Sequence, residues 1–241
     1  MKVIVPMAGR GSRFKNVGEM TPKPLIPVLG KPMLYWALKS IDGIEYSQLV
    51  FIALKEHEVN FGLKTLLHEL YGNNVTLILI DEVTEGQLCT VLAAEEHLNS
   101  SEDILITSSD TFVKSKIGEH ISRKADDCAG LISVANLPGD RWSFAKVDET
   151  GRVTEVAEKR RISNYASTGL YYFANGYDFL TEAKRIIENK EKTQGEYYVI
   201  PVYQKLIERG LKIEISLADE VYDMGTPESL RQSLQGLPKQ V

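Results

Sequence analysis

Residues 9–24 read GRGSRFKNVGEMTPKP and follow directly on the apolar run VIVPM of residues 3–7. Arg10, Arg13, Lys15 and Lys23 stand here against a single acid, Glu19, among three glycines and two prolines. The whole chain of 241 residues carries a formal net charge of -5. A small cationic, glycine-rich loop in an acidic chain points to a local anion site rather than a general basic surface. Net acidity argues against nucleic acid as a partner, because its binders usually present a basic face. With 43% hydrophobic and 25% charged residues, the chain has ordinary globular composition.

Spacing excludes two common phosphate loops. The dinucleotide fingerprint needs a third glycine where Phe14 stands, and no clean helix follows before Pro22 and Pro24. A P-loop needs a closing Gly-Lys-Ser/Thr, which is missing. What remains is a loop whose small residues let backbone N–H groups close on an anion, with Arg13 as a permanently charged, forked donor. Lys23 sits between two prolines, and Pro24 predicts an extended conformation for it, presented from stiff backbone. A nucleoside triphosphate is the polyanion that suits such a loop.

Outward from the loop, the runs KVIVPM, QLVFIAL, VTLILI and DILITSS are short, rich in Val and Ile, and apolar on both faces. They predict buried strands. Between them, PMLYWALKSI, EHEVNFGLKTLLHELYG and GQLCTVLAAEEHLN carry helical periodicity, and Tyr71-Gly72-Asn73-Asn74 supplies a helix stop. Alternating strands and helices predict a doubly wound α/β fold: a mostly parallel, mixed sheet with helices on both faces. The second half turns to β segments in CAGLISVAN, FAKVDETGRVTEVAEK and STGLYYF, with a hairpin turn at Glu149-Thr150-Gly151. Helices follow over residues 177–191 and in YYVIPVYQKLIERG, then the strand KIEISLADEVYD. Thr226-Pro227 has the form of a helix start. No repeat or linker interrupts the chain, so residues 1–241 are read as one domain, with a nucleotide half over 1–112 and an acceptor half over 113–241.

Asp110 ends the strand DILITSS, and Asp223 ends the strand before Gly-Thr-Pro. In open α/β sheets ligands gather beyond the carboxyl ends of strands. Two carboxylates brought together there would hold Mg²⁺, which prefers oxygen ligands and commonly bridges protein and phosphate. Each aspartate taken alone is equally a turn or capping residue.

These stretches together resemble a known family. GRGSRF…TPKPLIPVLGKPML is similar to the G-x-G-x-R…P-K signature of the nucleotidyltransferases that activate sugar phosphates, and the likeness extends over nearly the whole chain. Asp110 resembles that family's first metal aspartate, Glu158-Lys159 its Glu-Lys pair, STGLYYF its acceptor-pocket segment, and VYDMGTPESL its closing Asp-x-Gly-Thr motif. The resemblance implies an enzyme that condenses an NTP with a small-molecule acceptor phosphate, releasing pyrophosphate, with Mg²⁺ as cofactor. It implies that Ala8, Gly9, Gly11, Ser12 and Arg13 wrap the nucleotide and its triphosphate, with Gln87 and Thr90 beside the base. Lys23 would steady the α-phosphate and the incoming acceptor. Lys159 would hold the acceptor phosphate, with Glu158, Thr168 and Gly169 around the acceptor, and Asp110 and Asp223 on the metal. Arg13, Lys23 and Asp110 are the expected catalytic set. Relatives often associate, which leaves room for a homo-oligomer.

The sequence departs from that pattern at three places. Ser109 stands where Gly precedes the aspartate, Arg160-Arg161 follow Glu-Lys instead of Pro, and Ser143 replaces a glycine that faces the sugar. A sugar 1-phosphate therefore leads as acceptor, with a cytidylyltransferase for a small phosphate such as phosphocholine as the alternative. A non-catalytic nucleotide-binding module is less well supported, because mere binding would not need Lys23, Asp110, Lys159 and Asp223 together. A glycosyltransferase would need an Asp-x-Asp motif, and Ser108-Ser109-Asp110 lacks its first acid.

The remaining chemistry is quiet. Cys89 and Cys128 are isolated, and His57, His68, His97 and His120 show no metal spacing. No apolar run reaches the ~20 residues of a bilayer span, and the amino terminus runs straight into a strand without a signal-peptide pattern. No membrane association and a cytoplasmic setting are expected. The short tail after VYDMGTPESL leaves no room for the acetyl-transferring β-helix that some relatives append, so a single activity is expected.

Overall fold

A computed structural model describes residues 1–238. The first four long strands are β1 (Lys2–Pro6), β4 (Gln48–Leu54), β5 (Val75–Ile80) and β6 (Ile104–Thr107), with the short hairpin β2 (Pro27–Val28) and β3 (Lys31–Pro32) between the first two. They lie in the spatial order β5-β4-β1-β6, all parallel. Strand order therefore reverses at β1, whose neighbours on either side are β4 and β6. The crevice beyond the carboxyl ends of β1 and β6 is the switch point where such sheets bind ligands.

The sheet continues through the second half. Antiparallel to β6 runs β11 (Tyr165–Phe173), followed by β8 (Cys128–Ala135), β12 (Lys212–Asp223) and β7 (Thr111–Ser115). The hairpin β9 (Ser143–Val147) and β10 (Val153–Glu158) hangs from β11. The long β12 pairs in parallel with β8 over its first half and antiparallel with β7 over its second. The fold is thus α/β with a mostly parallel, mixed sheet.

Period-two alternation divides the core between the faces. Val3 and Val5 pack with Leu34 and Leu38 of α2 (Met33–Leu38) and Leu67 of α4 (Leu63–Tyr71). Ile4, between them in sequence, packs with Leu88 and Val91 of α5 (Gln87–Leu92), Phe179 of α8 (Gly176–Glu188) and Tyr203 of α9 (Ile200–Glu208). A third, smaller cluster gathers Phe14, Ile26, Trp36, Phe112 and Met224.

Some local expectations give way. The periodic run around residues 56–72 is two helices, α3 (Lys55–Phe61) and α4, separated by Gly62 at φ +59°. The run around 86–99 likewise divides into α5 and α6 (Glu95–Leu98), and a one-turn helix α1 (Ser12–Lys15) follows the glycine loop. Lys23 is not extended. It opens a 3-10 turn over Lys23–Leu25, because the Leu25 amide donates to the Pro22 carbonyl at 2.8 Å and makes Pro22, at ψ 133°, the extended residue. The helix start at Thr226 is found as expected, as a capping box with Ser229 opening α10 (Pro227–Ser233).

Candidate active site

The glycine loop leaves β1 at Pro6 and turns over the switch point, and Gly11 at φ +61° ends it and starts α1. A side chain at Gly11 would stand 3.3 Å from Lys23 Cβ, so the glycine lets Lys23 pack against the loop. Phe14, at the position of the missing third glycine, is an anchor: it is 4% exposed within the third cluster. Ile26 follows Lys23 by three residues, Phe112 follows Asp110 by two, and Met224 directly follows Asp223. One apolar knot therefore fixes the loop, the lysine and both aspartates.

A cavity of about 690 Å³ opens here. Its walls include Ala8, Gly9, Gly11, Ser12, Lys23, Gln87, Thr90 and Asp110. Gly9 faces open space, with nothing within 4 Å of where a Cβ would stand. Arg13 is exposed at the rim, near enough for its charge to act on Asp110 and on Tyr198 of the opposite wall. Gly86, absent from the expectations, has φ +141°, and any side chain there would overlap the Tyr197 backbone. Its isolated position before Gln87 gave no signal beyond the glycine itself.

Asp110 and Asp223 come together through strand pairing. Thr111 and Asp223 are opposite each other in the β7–β12 ladder, and the Met224 amide donates to the Asp110 carbonyl at 2.9 Å. A Cβ on Gly225 would lie 3.0 Å from Asp223 Oδ1 and 3.2 Å from Asp110 Oδ2, which places those oxygens within about 6 Å of each other. Lys23 Nζ donates to Asp110 Oδ2, and Arg141 Nη2 donates to Asp223 Oδ2 at 2.5 Å. Burial pushes the Asp110 carboxyl up, but Lys23, its hydrogen bonds and Arg13 outweigh this and hold it below its ordinary value.

The pair fits a divalent ion. No group of three or more His, Cys, Asp or Glu gathers to hold a metal among the described residues. The described residues thus offer two carboxylates, and a divalent ion held there would need phosphates and water to complete its shell.

Glu158 ends β10 and Lys159 follows it; neither lines this cavity, and both line a separate one together with Gln194 and Gln204. Lys159 adopts φ +50°, a left-handed conformation uncommon for lysine. Its Nζ donates to the Tyr198 hydroxyl and lies 4.6 Å from that ring's centroid. Tyr198 in turn donates to Glu196, and both line the cavity. This chain of three groups joins the Glu-Lys pair to the glycine-lined cavity, and the sequence gave no sign of it. Burial pushes the Glu158 carboxyl up, against the opposing pull of its Ser143 hydrogen bond and of Lys159.

Thr168 and Gly169 sit at an irregularity of β11. The Thr168 hydroxyl is turned into the sheet, donating to Ser133 Oγ at 2.8 Å, and does not reach the cavity. Gly169, at φ +89°, brings its backbone against Ser108, whose amide donates to the Gly169 carbonyl at 3.1 Å. Tyr171 is core, with its hydroxyl pushed up to about 12 by burial. Arg160 pairs with Glu155 at 3.0 Å on the surface. Cys89 and Cys128 are both free, and no helix among the described residues is long and apolar enough to cross a membrane.

Comparisons with known proteins bear on the family and the fold. The sequence profile described as "Nucleotidyl transferase" matches residues 2–240. A protein titled UTP--glucose-1-phosphate uridylyltransferase AglF, from Haloferax volcanii, is 25% identical over 100% of this chain and 98% of its own length. The Bifunctional protein GlmU of Methanococcus vannielii is 27% identical over 94% of this chain, which spans only 52% of that relative. Among solved structures, a nucleoside-diphosphate-sugar pyrophosphorylase from Vibrio cholerae superposes with a TM-score of 0.83 at 27% identity, covering 97% of this chain and 99% of that one.

Proposed function

This chain belongs to the nucleotidyl transferase family, and on that premise we propose that it joins an NTP to a sugar 1-phosphate, forming a nucleotide-diphospho-sugar and pyrophosphate. The meeting of Lys23 and Asp110 in one glycine-lined cleft, with Asp223 brought near Asp110 at Gly225, carries the reading. In the reaction an acceptor phosphate oxygen attacks the α-phosphorus, and the bond from that phosphorus to the bridging oxygen breaks as pyrophosphate leaves. The acceptor monoester is already a nucleophile near neutral pH, so no strong base is required. The obstacle is repulsion between two anions and their alignment, which positioning and electrostatics overcome.

In this reading Ala8, Gly9, Gly11 and Ser12 wrap the nucleotide, Arg13 takes the triphosphate, and Gln87 and Thr90 stand near the base. Lys23 leaves Asp110 to steady the α-phosphate and the approaching acceptor. Lys159, oriented by Tyr198, holds the acceptor phosphate, with Glu158 and the Gly169 backbone beside it. Asp110 and Asp223 hold Mg²⁺, which would neutralise phosphate charge and fix the line of attack.

One observation favours a second acceptor class. Ser143 donates to Glu158 Oε2 and so takes one of the two oxygens that a sugar hydroxyl would use. A cytidylyltransferase acting on a small non-sugar phosphate such as phosphocholine is the alternative that this contact supports. Incubation with each NTP, Mg²⁺ and a panel of sugar and non-sugar phosphates, with pyrophosphate as readout, decides between them. Release with no pair would refute both.

A further inference from the structure

The loop over residues 136–142 joins β8 to β9 and delivers a cation that the mechanism above leaves unused. Arg141 Nη2 donates to Asp223 Oδ2 at 2.5 Å, while Asp223 Oδ1 accepts from the Gly225 amide at 2.9 Å. An arginine thus covers the carboxylate edge that a metal would need. The loop is built to bring it there. Arg161 bonds to the Leu137 carbonyl and, at 2.7 Å, to the Gly139 carbonyl, with its guanidinium 4.8 Å from the Phe144 centroid. Trp142 Nε1 donates to the Pro138 carbonyl at 3.0 Å, and the Arg141 guanidinium lies 4.1 Å from the Trp142 ring centroid. Stacking presets the plane of the guanidinium at little entropic cost.

The same loop ends on the acceptor groups. Trp142 accepts from the Lys159 amide at 2.9 Å through its carbonyl, and Ser143 donates to Glu158. Arg141, paired with Asp223, thus directly precedes in the chain the two residues that bond to Lys159 and Glu158. Arg160, by contrast, is spent on Glu155.

We propose that Arg141 is the counter-ion of Asp223 in the substrate-free protein and passes to the acceptor phosphate when a divalent ion takes that carboxylate. The inference rests on Asp110 and Asp223 being the metal carboxylates. A guanidinium cannot lose its proton to escape a metal beside it, so it must move. Its exposure of 48% leaves it free to do so, and the phosphate held by Lys159 is the adjoining anion, suited to a forked donor.

Mn²⁺ titration of the substrate-free protein, followed by electron paramagnetic resonance, tests the first half. Arg141→Ala should bind Mn²⁺ about three- to tenfold more tightly than wild type, and Arg141→Lys should lie between. Inorganic phosphate binding to the Mn²⁺-loaded protein tests the second half, and it should weaken about tenfold in Arg141→Ala. Unchanged or weaker Mn²⁺ binding in Arg141→Ala, or unchanged phosphate binding, overturns the proposal. Asp223→Asn separates it from the reading beneath: if that variant binds Mn²⁺ like wild type, the aspartate pair is not the metal site and both fail. Loss of Mn²⁺ in Asp223→Asn with an indifferent Arg141→Ala sinks the role of Arg141 alone.

Discussion

Met224 donates its amide to the carbonyl of Asp110 at 2.9 Å, and this one backbone bond closes the site. It locks the turn after β12 onto the start of β7, so that the carboxylates of Asp110 and Asp223 face a common point beside Gly225. Gly225→Ala would put a methyl against both, requiring shifts of a few tenths of an ångström. We expect the melting temperature to move by only a few degrees, while metal-dependent turnover falls about tenfold or more. Full activity in Gly225→Ala would show that the spacing of the carboxylates does not matter.

Lys23→Ala should lose about 10²–10³-fold in kcat/KM, because it removes charge placed where the transition state needs it. The variant also has a pH signature. With Lys23 present the folded Asp110 value is lowered, so its contribution to stability is complete above the unfolded value near 3.8 and is lost as pH falls through the folded value. Without Lys23 the largest of the lowering influences is gone, and the folded value rises. The stability deficit of Lys23→Ala should therefore be largest near neutrality and shrink toward about pH 3. Urea melts across that range check this, and a deficit independent of pH would contradict it.

Glu158→Gln separates binding from folding. Burial raises the folded Glu158 value, so the cost of ionising it is absent below about pH 4.5 and complete above the folded value. The Gln variant should match or exceed wild-type stability near neutrality, with the gain vanishing on acidification. Its acceptor KM should nonetheless rise severalfold. A variant less stable than wild type at neutral pH would mean that Glu158 supports the fold rather than the acceptor.

Phe14→Ala removes the anchor beneath the glycine loop. A buried phenylalanine lost to a cavity costs about 3–5 kcal/mol, and here the knot also holds Met224 and Phe112 beside the aspartates. Thermal melts should show that loss, and kcat should fall even well below the melting temperature. Near-native kcat at low temperature would detach the knot from the site.

What could be read from the sequence was whatever short-range pattern decides. β4 and β5 have the bounds of QLVFIAL and VTLILI, but only β4 is buried on both faces as its unbroken Val, Ile and Leu announce; β5 is the edge of the sheet and stays half-buried, with Leu79 41% exposed. Thr226 was legible for a similar reason, since a cap is local chemistry. The loop and the strand-end position of Asp223 were also visible, whereas Asp110 stands three residues past the end of β6, in the bend before β7. Their approach to each other was not visible, because it depends on β7 pairing with the far half of β12, and the few residues of β7 carry no signal of their own. Arg161 ties down the turn that carries Arg141 and Tyr198 orients Lys159, and nothing in the local pattern marks either. Both roles are fixed by partners more than twenty residues away in the chain.

The most direct measurement is a crystal grown with Mn²⁺ and a non-hydrolysable nucleoside triphosphate, read at the manganese absorption edge. The account expects an anomalous peak about 2.2 Å from one oxygen each of Asp110 and Asp223, with the triphosphate over the Gly9–Gly11 loop and the Lys23–Asp110 pair opened. A nucleotide bound elsewhere, or a peak away from these carboxylates with both ion pairs intact, would contradict it.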